Sequence, residues 1–306
     1  MTPISPMPAL RGWEAIVDLA LDEDIGIGDV TSLATVAPET RVSGIVLAKE
    51  AGVISGIEVA RFVFARVDAS LRFTAMVSDG DTVTVGTRLA RLEGAARSVL
   101  TAERTALNLL QRLSGVATMT SRYVAATGST GARIVDTRKT TPGLRLLEKQ
   151  AVVHGGGSNH RFGLADGILI KDNHLAAIGG PDRIRKAITL ARARAPHTLR
   201  IEIEVTTLAE LDEALEAGAD IILLDNMDTC TMGKAVQRRA AAGSAALLEA
   251  SGGITLPRIA EISATGVDLI SVGALTHSAP ALDISLDLDL DLDSGFDSGG
   301  HPGANA

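Results

Sequence analysis

From Ala132 onward, apolar residues come in short unbroken runs. "ARIVDT", "GILIKD", "RIEIEV", "DIILLDN", "ALLEASGG" and "DLISVGAL" are each rich in β-branched or leucine residues, and helical patterns separate most of them. "TTLAELDEALEAGAD" carries Thr207 and Glu210 at the spacing of a capping box and closes on Gly218. "TLPRIAEISATG" opens with Thr and Pro and closes on Gly266. This β/α alternation predicts a parallel sheet or barrel. Asp136, Lys171, Glu204, Asp225, Ser251 and Gly273 all fall at or just past the carboxyl end of a predicted strand. In a β/α barrel those ends share one face, the one on which active sites are built. Six strands are clear, so the pattern predicts an open, incomplete barrel rather than a closed eight-fold one.

The first 115 residues have a different rhythm. "RGWEAIVDLALDEDIGIGD" reads as a helix running into a glycine turn. "RVSGIVLAKEAGVISG" and "LRFTAMVSDGDTVTVGTRLARLEG" alternate apolar and polar residues around Gly and Asp-Gly turns, as antiparallel strands do. From Ala95 the period becomes helical, with Gly115 as a stop and a second helix to about Thr127. The expected division is an N-terminal α/β unit over 1–115, completed by 276–288, a barrel over 116–275, and a disordered acidic tail over 289–306.

Composition narrows the function classes. The net charge is −8, but Asp283, Asp287, Asp289, Asp291, Asp293 and Asp297 near the C-terminus supply six negatives, so the rest is nearly balanced. With only 2% aromatic residues and no basic excess, nothing supports nucleic-acid binding. No run of 18 apolar residues offers a membrane span, and "MTPISPMPALRGW" is not a secretory signal. One cysteine, Cys230, permits no internal disulfide. The expectation is a cytoplasmic protein.

The local chemistry is concentrated. Arg138, Lys139, Arg161 and Lys171, with His160, gather positive charge on the predicted barrel face. A solvated loop accounts for any one of them; four converging cations point to an anion. Glu204 and Asp225 each close an apolar strand, where a carboxylate is costly unless paired. They either hold a magnesium–pyrophosphate unit or neutralise the cations. "SGGI" (Ser251, Gly252, Gly253, Ile254) and "SVGAL" place small residues after the last two strands, the usual position for a phosphate cradle. Other motifs fail. "HGGG" at His154 has no accompanying G-x-S-x-G, "GKA" at Gly233 lacks the rest of a phosphate loop, and the histidines lack zinc-site spacing.

"DTRKTTPGLRLLEKQAV", "GGGSNHRFGLADGILIKDNH", "IEIEVTTLAELDEALEAGADIILLDNM", "LEASGGI" and "GVDLISVGALTHSAPALDISLDL" together resemble the quinolinate phosphoribosyltransferases, as do "EDIGIGDVTS" and "LTAERTALNLLQRLSGVATMT". The resemblance runs over about residues 10 to 288. It implies formation of nicotinate mononucleotide, carbon dioxide and pyrophosphate from quinolinate and phosphoribosyl pyrophosphate, in NAD biosynthesis. It implies an α/β fold with an N-terminal open-faced α/β sandwich and an open barrel, magnesium as cofactor, and a homodimer in which Arg104 reaches the neighbouring site. It also implies that Thr137, Arg138, Lys139, His160, Arg161 and Lys171 line the substrate pocket. Glu204 and Asp225 would be the ribose- and metal-side acids, catalytic together with Lys139 and Lys171. Ser251, Gly252, Gly253, Val272, Gly273 and Ala274 would form the phosphate turns. Two alternatives stand beside it. One is a sister phosphoribosyltransferase, using nicotinate or associated with molybdate transporters. The other is a non-catalytic anion-binding regulator on the same barrel.

Overall fold

The computed structural model describes residues 12–289, which fall into two compact units: residues 12–112 with 282–289, and residues 113–281. No helix among the described residues is long and apolar enough to cross a membrane.

The first unit contains α1 (Glu14–Ile25), α2 (Val30–Thr35), β1 (Arg41–Ala48), β2 (Gly52–Val53), α3 (Ile57–Val67), β3 (Arg72–Ala75), β4 (Thr82–Val83), β5 (Arg88–Ala95) and the start of α4 (Ala96–Ala126). Its main sheet is antiparallel, in the order β12-β1-β5-β3, where β12 is Ile284–Asp289 near the far end of the chain. Every second residue of β1 (Val42, Gly44, Val46, Ala48) is buried, the alternation expected of a sheet with one covered face. Gly44 is required by its neighbour strand: a Cβ there would meet the Leu288 side chain at 2.8 Å.

The second unit alternates strand and helix: β6 (Arg133–Val135), α5 (Arg145–His154), β7 (Ile168–Ile170), α6 (Asp172–Ile178), α7 (Arg183–Arg194), β8 (Ile201–Val205), α8 (Leu208–Glu216), β9 (Ile221–Asp225), α9 (Thr229–Ala241), β10 (Leu247–Ser251), a 3-10 turn (Leu256–Arg258), α10 (Ile259–Ser263), β11 (Leu269–Ser271) and α11 (Ala274–His277). The six strands are parallel, in the order β6-β11-β10-β9-β8-β7. β6 and β7 are the two ends of that order, so the barrel is open between them. The gap is partly dressed by the loop after α5, whose Ser158 donates to the Ile134 carbonyl while its own carbonyl accepts from Asp136 N.

Two expectations change. Residues 96–126 form one helix, not two broken at Gly115. Gly115 is small for another reason: a Cβ there would collide with the Pro280 carbonyl. The second crossing of the chain between units lies at Ala281/Leu282 rather than near 275, because α11 packs on α5 and stays with the barrel. Helices α3 and α5 start after Gly56 and Leu144, with no Ser, Thr, Asp or Asn at the cap position to announce them. The tail expected to be disordered lies, apart from Asp289, outside the described residues.

Candidate active site

The carboxyl ends of the barrel strands surround a cavity of about 610 Å³. Its walls bring together Thr137, Arg138, Lys139, His160, Arg161, Lys171, Glu204, Asp225, Ser251, Gly252 and Gly253 from five different strand ends and the loop after α5. Residues more than a hundred positions apart in sequence thus meet because a parallel barrel delivers all its carboxyl ends to one rim.

Each side chain is held by local chemistry. The loop carrying Arg138 and Lys139 is tied on one side by Thr276, whose hydroxyl donates to the Lys139 carbonyl at 2.8 Å. On the other side the buried Glu148 of α5 accepts from both N and Oγ1 of Thr141, at 3.0 and 2.7 Å. Behind the loop, Asp136 is fully buried and accepts from Lys149 Nζ, itself 1% exposed, and from His160 N at 2.8 Å. Asn159, with its amide oriented to satisfy its neighbours, donates to the other Asp136 oxygen at 2.7 Å. Asp136 therefore does not face the cavity with the other strand-end polar residues, as its position in "IVDT" suggests. It fastens β6 to the loop bearing His160 and Arg161. Lys171 N donates to His174 Nδ1 at 2.9 Å at the start of α6.

The electrostatics match a polyanion site. Burial and the nearby Arg138 charge push Arg161 below the usual guanidinium value. Its Nε is buried without a hydrogen-bond partner, while Nη1 donates to the Gly167 carbonyl at 3.1 Å. Burial, then the Asp225 carboxylate, push Glu204 above the usual carboxylate value, only partly offset by Lys171. Two repelling oxygen donors at the rim of a cationic cavity fit a hard divalent ion such as magnesium, which takes carboxylate oxygens together with substrate phosphates.

The "SGGI" turn is shaped by backbone geometry. Gly252 has φ +90° and Gly253 φ +58°, and a Cβ on Gly252 would collide with the Asn226 amide. Asn226 itself has φ +52° and donates from Nδ2 to Asp225 Oδ2 at 2.9 Å, which orients that carboxylate. Val272, Gly273 and Ala274 are not among the cavity-lining residues. Val272 is 1% exposed, and Gly273 lies against the Lys139 side chain, where a Cβ would sit 3.0 Å from Cδ. Arg104 lies in the first unit, its side chain 61% exposed.

Beneath the cationic rim is a group that the strand ends alone do not announce. His160 Nε2 lies 3.1 Å from Glu202 and 3.6 Å from Glu249, with both acids almost wholly buried. Burial opposes a charged imidazole, and the Glu202 hydrogen bond and Glu249 charge outweigh it, holding His160 above its ordinary value. The Arg161 amide, 2.7 Å from Nδ1, pulls the other way because it needs a lone pair there. In this arrangement the ring carries its proton on Nε2. That protonation disfavours the three residues as a metal site, although their ligand atoms lie within 4.8 Å of one another. Alternation would have revealed both acids, since Glu202 lies two residues before Glu204 and Glu249 two before Ser251.

Residues 29–114 match the family model of the quinolinate phosphoribosyl transferase N-terminal domain, and residues 116–287 that of the C-terminal domain. The chain belongs to the quinolinate phosphoribosyltransferase family. It is 47% identical over 270 residues to the nicotinate-nucleotide pyrophosphorylase [carboxylating] of Mycobacterium leprae, covering 87% of this chain and 94% of the relative. It is 44% identical over 285 residues to a probable enzyme of the same name from Synechocystis, covering 92% and 95%. Among solved structures it is similar to NadC from Streptococcus pyogenes, with a TM-score of 0.87 and 41% identity, covering 94% of this chain and 99% of that one. In this member of the quinolinate phosphoribosyltransferase family, the N-terminal match covers most of the antiparallel unit and the C-terminal match spans the barrel.

Proposed function

We infer that the protein transfers the phosphoribosyl group of phosphoribosyl pyrophosphate to quinolinate, with decarboxylation, to give nicotinate mononucleotide, pyrophosphate and carbon dioxide for NAD synthesis. The observation that carries this reading is the meeting of Arg138, Lys139, Arg161 and Lys171 with Glu204 and Asp225 around one cavity. Quinolinate is a dianion and its partner carries more negative charge still, so holding both requires that density of cations.

In the proposed mechanism the pyridine nitrogen attacks the anomeric carbon as pyrophosphate leaves. Positive charge grows on the sugar, where Glu204 and Asp225 stabilise it, while Lys139 and Lys171 face the departing pyrophosphate. Glu204 and Asp225 are also the residues that would hold magnesium, which when bound offsets phosphate charge. Arg138 and Arg161 grip the adjacent carboxylates; nicotinate, with one carboxylate, leaves a cation unmatched and is disfavoured. The electron pair released as the 2-carboxylate departs stays on C2, where the adjacent positive charge of the quaternised ring nitrogen stabilises it.

Purified protein with magnesium, quinolinate and phosphoribosyl pyrophosphate should yield nicotinate mononucleotide by chromatography, and nicotinate in place of quinolinate should not. Arg138→Ala should raise the KM for quinolinate at least tenfold, the loss of a charged hydrogen bond of about 1.5–3 kcal/mol. An unchanged KM and kcat would remove the clamp.

The proposal extends to a homodimer in which the partner's Arg104 completes each site. Its support is the exposure of Arg104 beside Asp24, Asp29 and Thr101, with Ile27, Val30 and Leu33 exposed in the same helix–turn region. Arg104→Ala and Lys139→Ala should each be nearly inactive alone. Mixed after dissociation and reassociation they should recover activity, because some sites then receive both residues; no recovery would reject the shared site. A lone cysteine suits the reducing cytoplasm, the proposed compartment, which cell fractionation tests.

A further inference from the structure

Glu249 poses a problem that the phosphoribosyl transfer does not solve. It sits on β10 with its side chain 1% exposed, and neither carboxyl oxygen has a hydrogen-bond partner. Its register neighbours are Leu223 on β9 and Leu269 on β11, which offer no donor. The charged or titratable groups that face it are Glu202 from β8 and His160 from the loop after α5, along with the Ser271 hydroxyl from β11. That hydroxyl already donates to the Ala250 carbonyl at 3.3 Å. Burial, then the Glu202 charge, push Glu249 up to about 7. Two buried carboxylates sharing one imidazole do not both ionise readily; the proton that relieves them belongs on Glu249.

The position of Glu249 gives that proton somewhere to go. Glu249 and His160 line the substrate cavity, and both also line a second cavity of about 430 Å³ on the side of the barrel nearer the strands' amino ends. The lower cavity is walled by apolar Ile168, Ile221, Leu247 and Leu269, with Arg133 and Arg200 among its polar lining. It is roomy enough, with enough polar lining, to hold water. The acid thus stands in the partition between the place where substrates bind and a separate path to solvent.

The reaction needs such a proton. When the C2–carboxyl bond breaks, carbon dioxide leaves and the electron pair stays on C2 of the pyridinium ring. A proton must then form the new C2–H bond. The substrates fill the upper mouth at that moment, and the cations clamping them are committed to charge. We propose that Glu249 donates the proton taken up by C2 of the pyridine ring after decarboxylation, and that water in the lower cavity restores it from solvent. Each turnover consumes one solvent proton, and the Glu249 carboxylate is regenerated as the acid with no other reactant. The proposal rests on the quinolinate reading above.

The test follows both halves of the reaction in single turnovers of full-length protein with magnesium, measuring pyrophosphate and nicotinate mononucleotide separately. In wild type, mononucleotide formation should slow in D2O and slow as pH rises through neutrality, while pyrophosphate release does neither. In Glu249→Gln, pyrophosphate release should stay within about threefold of wild type while mononucleotide formation falls at least tenfold and loses its neutral pH limb. Mononucleotide formed in step with pyrophosphate by Glu249→Gln at the wild-type rate would overturn the assignment. So would a wild-type profile without the limb and the isotope effect, which keeps the test decisive even if the variant does not fold. Failure of wild type to form either product would instead remove the quinolinate reading beneath it.

Discussion

Asp136 and Lys149 are both buried charges, and each would be expensive alone. Burial raises Asp136 and lowers Lys149, and each opposes the other's shift. Removing one partner leaves the other without compensation, so Asp136→Ala should cost roughly 3–5 kcal/mol in urea unfolding and loosen the loop that presents His160 and Arg161. The cationic residues were readable from their places after strands, since a parallel barrel sends all such places to one rim. The Asp136–Lys149 tie was not, because nothing in a 13-residue spacing says that a strand end and a helix will meet. Glu249 makes a second prediction at this scale. Its folded-state value, about 7, lies above the unfolded carboxyl value, so the unfolded chain gives up its proton first. Stability from this group is therefore complete below about pH 4 and is lost as pH rises to about 7, by roughly 3 kcal/mol. Glu249→Gln should gain on wild type over that window in denaturant titrations; parallel curves would show that the carboxyl is ordinary.

Helix starts were legible where a side chain caps them and obscure where none does. Thr207 accepts from Glu210 N at 3.2 Å as its spacing predicts. The Glu210 carboxylate, however, turns back to N and Oγ1 of Thr206, both at 2.9 Å, instead of closing the box on Thr207. Thr207→Ala should cost about 1 kcal/mol, measured as a shift in the urea midpoint at unchanged slope. Helices α3 and α5 begin after Gly56 and Leu144, neither of which has a capping side chain; the first amides of α3, Gly56 N and Ile57 N, are met instead by Asp79 Oδ1 at 2.7 and 2.9 Å, from a residue 23 positions away that no local pattern links to the helix start. Gly115 misled in the opposite direction. A glycine that ends a helix and a glycine that admits a neighbouring carbonyl look alike in sequence, and only the approach of Pro280 separates them.

The whole molecule is threaded unusually for its order of domains. The first unit opens the chain and is also its last described part, since β12 returns to pair antiparallel with β1 from Ser43↔Asp289 to Ala48↔Ile284. The barrel is in effect an insertion between two pieces of one sheet. During synthesis, β1 is made some 240 residues before its partner, a gap read from the numbering of the two strands. Until β12 leaves the ribosome, β1 presents a bare row of backbone donors and acceptors, the kind of edge that recruits other chains. Chains truncated after Ala281 should therefore pellet on expression while those ending at Asp289 stay in the supernatant; equal partitioning would show that the edge is harmless. The ribosome would then have to translate through Asp289 before the earliest strand is safe.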